Sequence, residues 1–96
     1  MIYRVQISDT LLKALADHTR RTLFERLIQE GEQTVHALTA AAGVSQPMVS
    51  KHLAVLKTAA LVRNRRQGRE THYSALPQAL TPLIAWAANA QVPRAD

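Results

Sequence analysis

The stretch Gly43–Lys57, GVSQPMVSKHLAVLK, decides how the chain folds. Val49, Leu53 and Leu56 recur at helical spacing and form an inward stripe, while the residues between them are polar and small. Ser45 suits an N-cap, and Pro47 then falls in the first turn, where backbone N–H groups have no intrahelical acceptor and proline costs little. The helix therefore starts at the serine. Its exposed residues Gln46, Ser50 and Lys51 need a partner outside the core, with Ser50 and Lys51 facing the same general direction as Gln46, about one turn deeper.

Working back toward the N-terminus, Thr34 can cap a short helix, VHALTAAA, with Val35, Leu38 and Ala42 inward, which Gly43 ends. A short helix, a tight turn at Gly43 and a second helix with a polar N-terminal face make a helix-turn-helix, whose second helix enters the major groove of DNA. Further upstream, Asp17 caps a helix with Leu23, Phe24, Leu27 and Ile28 repeating at three and four residues, stopped by Gly31. A first helical pattern runs from Ser8 to Ala16, with Leu11, Leu12 and Leu15 on one face.

Beyond Leu61 the period changes. LVRNRRQGRETHYSAL alternates loosely around a turn at Gln67-Gly68, predicting antiparallel strands over about 61 to 66 and 70 to 76. A hairpin with an arginine-rich tip after the recognition helix is a wing, placed to lie on the phosphate backbone or in the adjacent minor groove. Pro77 ends the second strand, and a last helix is expected over Gln78 to Gln91, with Leu80, Leu83, Ile84 and Ala87 on one side, Trp86 nearby and Pro82 in or at its first turn. The expected fold is mainly α with a small β-hairpin, one winged helix-turn-helix domain over residues 1–96.

Charge points the same way. Between Ser45 and Tyr73, Lys51, Lys57, Arg63, Arg65, Arg66 and Arg69 face one acid, Glu70, whereas outside that span Arg4, Lys13, Arg20, Arg21, Arg26 and Arg94 are matched by Asp9, Asp17, Glu25, Glu30, Glu32 and Asp96. The net charge of +5 therefore sits in one segment, expected to form a continuous strip for a polyanion. Of the 96 residues 47% are hydrophobic but only 4% aromatic, which favours close-packed helices over a sheet sandwich. The absence of cysteine removes disulfides, thiolate metal sites and thiol nucleophiles. No apolar run is long enough to cross a bilayer and MIYRVQISDT lacks a secretory core, so a soluble cytoplasmic protein without membrane contact is expected. No nucleophile has an adjacent base, no glycine loop cradles phosphate and no carboxylate pair lies in the basic block, so an enzyme is excluded.

LKALADHTRRTLFERL (Leu12–Leu27) followed by GVSQPMVSKHLAVLKTAALVRNRRQGRETHYSA (Gly43–Ala75) resembles the arsenic-repressor (ArsR/SmtB) type of bacterial winged-helix transcriptional regulators, over roughly Leu11 to Leu83. The resemblance implies a homodimeric repressor of a promoter, with the first and last helices at the dimer interface. Ser45, Gln46, Ser50, Lys51 and His52 then occupy the recognition helix, and Arg65, Arg66 and Arg69 the wing. His18 stands where many members have proline, which reduces helix pre-organisation away from the DNA face. Thr34 and His36 look to match the Cys-x-Cys pair of metal-responsive members, and Gln78–Gln91 contains no His, Asp, Glu or Cys, so both family metal sites are missing. No cofactor is implied and no effector is announced.

Weighed singly, Gln46 suits bidentate bonding to adenine or is a solvated first-turn residue. Ser50 and Lys51 suit phosphate or base edges; Lys57 and Arg63 join the basic set, although Lys57 equally complements the helix dipole, and His52 is a phosphate donor or a half-buried packing residue. His18, His36, His52 and His72 are dispersed without the local spacing zinc usually requires. Leu11, Leu12, Leu15, Leu80, Leu83, Ile84, Trp86 and Ala87 are the expected dimer contacts, because one short chain cannot cover both apolar terminal helices. Two-fold symmetry predicts a pseudo-palindromic operator with half-sites roughly 34 to 36 Å apart. The competing reading is a winged-helix module whose hairpin binds an acidic protein, which leaves the polar face from Gln46 to Lys51 unexplained.

Overall fold

Four side-chain caps set the helical framework. In the computed structural model, which describes residues 6–93, Ser8 accepts from the Leu11 N–H (3.3 Å) to start α1 (Asp9–Leu15), and Asp17 from the Arg20 N–H (3.0 Å) to start α2 (His18–Glu30). Thr34 accepts from the Ala37 N–H (3.0 Å) at α3 (Val35–Ala42), and Ser45 from the Met48 N–H (3.4 Å) at α4 (Gln46–Thr58). Each satisfies one of the N–H groups that a helix start leaves without a partner. Gly43, at φ 71°, makes the left-handed turn between α3 and α4 that the helix-turn-helix requires. Arg4, Arg94 and Asp96, counted in the charge balance, lie outside the described residues.

The exit from α4 is less ordinary. The Leu61 N–H bonds to the Leu56 carbonyl (3.0 Å) and the Ala60 N–H to the Lys57 carbonyl (2.9 Å), the paired bonds of a Schellman stop. Ala60 takes the left-handed position at φ 59°, where glycine is the usual residue. The stop feeds the buried Leu61 into β2 (Val62–Gln67), which pairs antiparallel with β3 (Glu70–Ala75) across Gly68-Arg69. Gly68 alone of these two has a positive φ, 61°, the sign pattern of a type II′ hairpin turn. A two-residue β1 (Gln33–Thr34), absent from the sequence reading, pairs with the other edge of β3 and gives the order β1-β3-β2.

One core joins these elements: Leu23, Phe24 and Leu27 of α2, Leu38 of α3, Val49, Leu53 and Leu56 of α4, then Leu61, Val62 and Tyr73 of the hairpin. Ile28, expected to share the inward face of α2, is 45% exposed, since a further 100° of turn carries it past Leu27 to the edge of that face. At the C-terminus the expected single helix is split: Pro77–Leu80 forms a 3₁₀ turn and α5 begins at Thr81, with Pro82 in its first turn.

The terminal helices correct part of the expected dimer surface. Leu11 is 4% exposed and belongs to the core of its own protomer together with Ala14, so it is not available to a second copy. Leu15, Leu80 and Leu83 are half-buried against that same core. What stays open is Leu12 (41% exposed) on α1 and Ile84 (65%), Trp86 (44%) and Ala87 on α5, a helix with no buried residue.

Candidate nucleic-acid interface

Because Ser45 fixes the start of α4, Gln46 and Ser50 fall one turn apart on the side of the helix that faces the hairpin. They line an open groove of about 310 Å³ together with Arg66, Arg69, Glu70 and Thr71 of the hairpin and with Thr34, Val35 and His36. Lys51 is exposed but outside the groove, which corrects the expectation that it faces the same way as Ser50; one residue further along α4 is a 100° rotation. Ser45 caps from the helix start, and Lys57 is exposed in its last turn, where its charge also complements the helix dipole.

The arginines do not form one continuous strip. Along β2 side chains alternate, so Val62, Asn64 and Arg66 share one face and Arg63 and Arg65 the other. Val62 is buried in the core, and the same face carries Arg66 past the core edge to the groove beside α4. Arg63 and Arg65 instead border a cavity on the far face with Glu32 and Ser74.

On that far face Arg65 is engaged. Its Nε donates to both Glu32 oxygens (3.1 and 3.0 Å), Nη2 donates to Oε1 (2.5 Å), Nη1 donates to the Gln67 Oε1 (2.9 Å), and the Ser74 hydroxyl donates to Glu32 (3.0 Å). These bonds, Arg65 first and Ser74 with it, hold the Glu32 carboxyl down at about 2 and raise the Arg65 guanidinium above its ordinary value. His72 completes the cluster, with Nδ1 3.6 Å from Glu32 and Nε2 3.7 Å from Glu70. Arg66, by contrast, bonds among the described residues only the carbonyl of Gly68 (3.2 Å), a contact that holds its side chain near the hairpin tip without neutralising it.

His52 lies on the other flank of α4, half-buried, with Nδ1 3.3 Å from Nη1 of Arg20. Both residues adjoin Asp17, whose carboxyl is held below its ordinary value chiefly by the Arg20 backbone N–H. No three His, Asp or Glu side chains gather as a metal cluster among the described residues.

Sequence reading missed His36, Thr34 and Thr71 in the groove and Glu32 behind the wing. Thr71 follows from the hairpin register, directly across from Arg66, while the other three depend on β1 pairing with β3, a contact between segments nearly forty residues apart that no local pattern announces.

Residues 17–64 match the family of bacterial regulatory proteins described as arsR. The chain belongs to the ArsR family. It is 41% identical over 78 residues to the arsenical resistance operon repressor of Escherichia coli, covering 81% of this chain and 63% of that one. It is 31% identical to the transcriptional repressor SdpR of Bacillus subtilis, over 84% of this chain and 89% of that protein. A crystal structure of an ArsR family transcriptional regulator superposes with a TM-score of 0.79 at 31% identity, covering 86% of this chain and 84% of the other. The chain thus spans less than two thirds of the Escherichia coli repressor. These ArsR-family relatives regulate transcription and are not enzymes, in agreement with the exclusion drawn from the sequence, and the winged helix-turn-helix fold is theirs. No helix among the described residues is long and apolar enough to cross a membrane.

Proposed function

We propose that this ArsR-family chain is a single-domain, sequence-specific DNA-binding repressor that acts in the cytoplasm as a homodimer on a pseudo-palindromic operator. The observation that carries this reading is the groove that sets Gln46 and Ser50 across from Arg66 and Arg69. An amide and a hydroxyl on a helix suit base edges, while guanidinium groups on a hairpin beside it suit the phosphates that border the same groove of DNA. Lys51, Lys57 and Arg63 add exposed positive charge around this pair of elements. Arg65 is assigned to holding the wing together through Glu32.

Repression is supported by the names of the Escherichia coli and Bacillus subtilis relatives. The homodimer is supported by Leu12, Ile84, Trp86 and Ala87, which a second copy would cover, Leu15, Leu80 and Leu83 packing beneath them. An acidic protein partner for the hairpin is not favoured, since it gives Gln46 and Ser50 nothing to bind.

Titrating a labelled fragment of the gene's own upstream DNA at several salt concentrations tests the reading. If the dimer neutralises roughly 6 to 10 phosphates, affinity falls about 10³ to 10⁵-fold between 50 and 200 mM salt. A flat response removes the proposal. Light scattering of Trp86→Glu, expected to be monomeric, tests the dimer contact separately.

A further inference from the structure

We propose that Arg20 is a positioning residue that fixes the tautomer of His52 and thereby presents the Nε2–H of His52 to a DNA phosphate on the flank of α4 away from the wing. This rests on the DNA-binding reading above. The Arg20 guanidinium is held on three sides: Nε donates to the Ala14 carbonyl (2.9 Å), Nη2 to the Lys13 carbonyl (2.9 Å), and Nη1 lies 3.3 Å from Nδ1 of His52. The first two bonds cap the C-terminal end of α1, and the backbone N–H of the same residue is held by Asp17. The guanidinium therefore cannot swing away without uncapping a helix.

Arginine offers only donors, so Nδ1 of His52 must accept. A neutral imidazole that accepts at Nδ1 carries its proton at Nε2. That nitrogen has no hydrogen-bond partner among the described residues, and Arg26 Nε is the only side-chain polar atom among them that is both buried and unpartnered. Nε2–H is consequently open to solvent as a donor of fixed direction. Six residues on from Gln46, His52 stands 240° around α4, on the opposite shoulder of the buried stripe from the wing. A helix seated in the major groove has a phosphate strand on each side, so a donor on this shoulder faces the strand that the wing does not. Arg20 would then link the end of α1 to the seating of α4.

Long-range nitrogen–proton spectra of the free protein, with binding titrations on the upstream fragment, test this. We expect His52 with Nδ1 bare and Nε2 protonated, and loss of that preference in Arg20→Met. His52→Asn keeps an acceptor where Nδ1 stood but has no donor at Nε2, so its affinity should fall about tenfold while its salt slope stays unchanged, because a neutral imidazole releases no counterion. His52→Gln restores a donor near Nε2 and should recover most of the loss. A protonated Nδ1 in the native protein, or His52→Asn binding as tightly as the native protein, overturns the proposal; so does His52→Gln losing as much as His52→Asn. If the native protein fails to bind the fragment at low salt, the DNA-binding reading itself fails, and the imidazole spectrum still decides the part assigned to Arg20.

Discussion

Arg65 and Arg66 are neighbours in the chain and stand on opposite faces of the wing. Arg66 reaches the groove beside Gln46 and Ser50, which Glu70 also lines, and forms no salt bridge among the described residues; Arg65 is bound on the far face by Glu32, a residue 33 positions away and outside the basic block. Counting charges along the sequence treats the two alike, whereas the field that DNA meets depends on which face of a strand each side chain leaves from and what waits there. The local excess of positive charge is smaller than the segment between Ser45 and Tyr73 suggests, because Glu32 folds back against it.

The contrast is broken most directly at DNA. Replacing Arg66 and Arg69 by alanine removes four guanidinium groups from a dimer, and affinity for the upstream fragment should fall at least about a hundredfold, with the salt slope reduced by between 3 and 4, roughly 0.9 for each phosphate. Arg65→Ala should change affinity by no more than about threefold and leave the slope alone. Equal losses in the two proteins would show that the wing uses both faces.

Gln46→Ala separates base reading from charge within the groove itself. Discrimination at one base pair of each half-site should weaken by about 1–3 kcal/mol, while binding to random DNA and its salt dependence stay as they were. Competition with operator fragments altered one position at a time measures this.

Much of this arrangement could be read before any coordinates. Asp17, Thr34 and Ser45 announce their helices, since an N-cap oxygen acts within three residues of itself, and the apolar stripe of α4 needs only the helical period. The same locality explains what was lost. The Glu32–Arg65 pair and the place of His36 in the groove follow from β1 joining the sheet, which is a property of the assembled chain. Leu11 and Leu12 are equally apolar, and only the seating of α1 on α2 decides that the first is core and the second surface. The division of the arginines was legible in principle, because strand alternation separates Arg63 and Arg65 from Arg66; the density of positive charge obscured it.

The register of that alternation is set where β2 begins, just after the left-handed Ala60. Ala60→Gly should sharpen the junction by removing strain of about 1 kcal/mol, partly offset by the greater freedom of glycine in the unfolded chain. A rise in melting temperature of a few degrees, with DNA affinity unchanged, is the expected result. A fall would mean that the methyl group contributes packing that outweighs the strained φ.

A far smaller effect than the loss of Arg66 and Arg69 comes from making the two faces alike. Glu32→Gln keeps an acceptor for Arg65 but removes the charge, so the far face gains free positive charge and affinity for DNA should rise by no more than about fivefold, with a steeper salt slope. Acid achieves the same change in the native protein. The Glu32 carboxyl sits at about 2 in the folded chain against an ordinary 4.5, so the folded state binds this proton less readily than the unfolded one. Its contribution to stability is complete above pH 4.5 and drains away as the pH falls toward 2. Melting curves of the native protein and Glu32→Gln should therefore converge between pH 4.5 and 2, the native protein losing more. Curves that stay parallel through that window would mean that Arg65 gains nothing from Glu32 beyond what solvent supplies, and both faces of the wing would then be equally free to meet DNA.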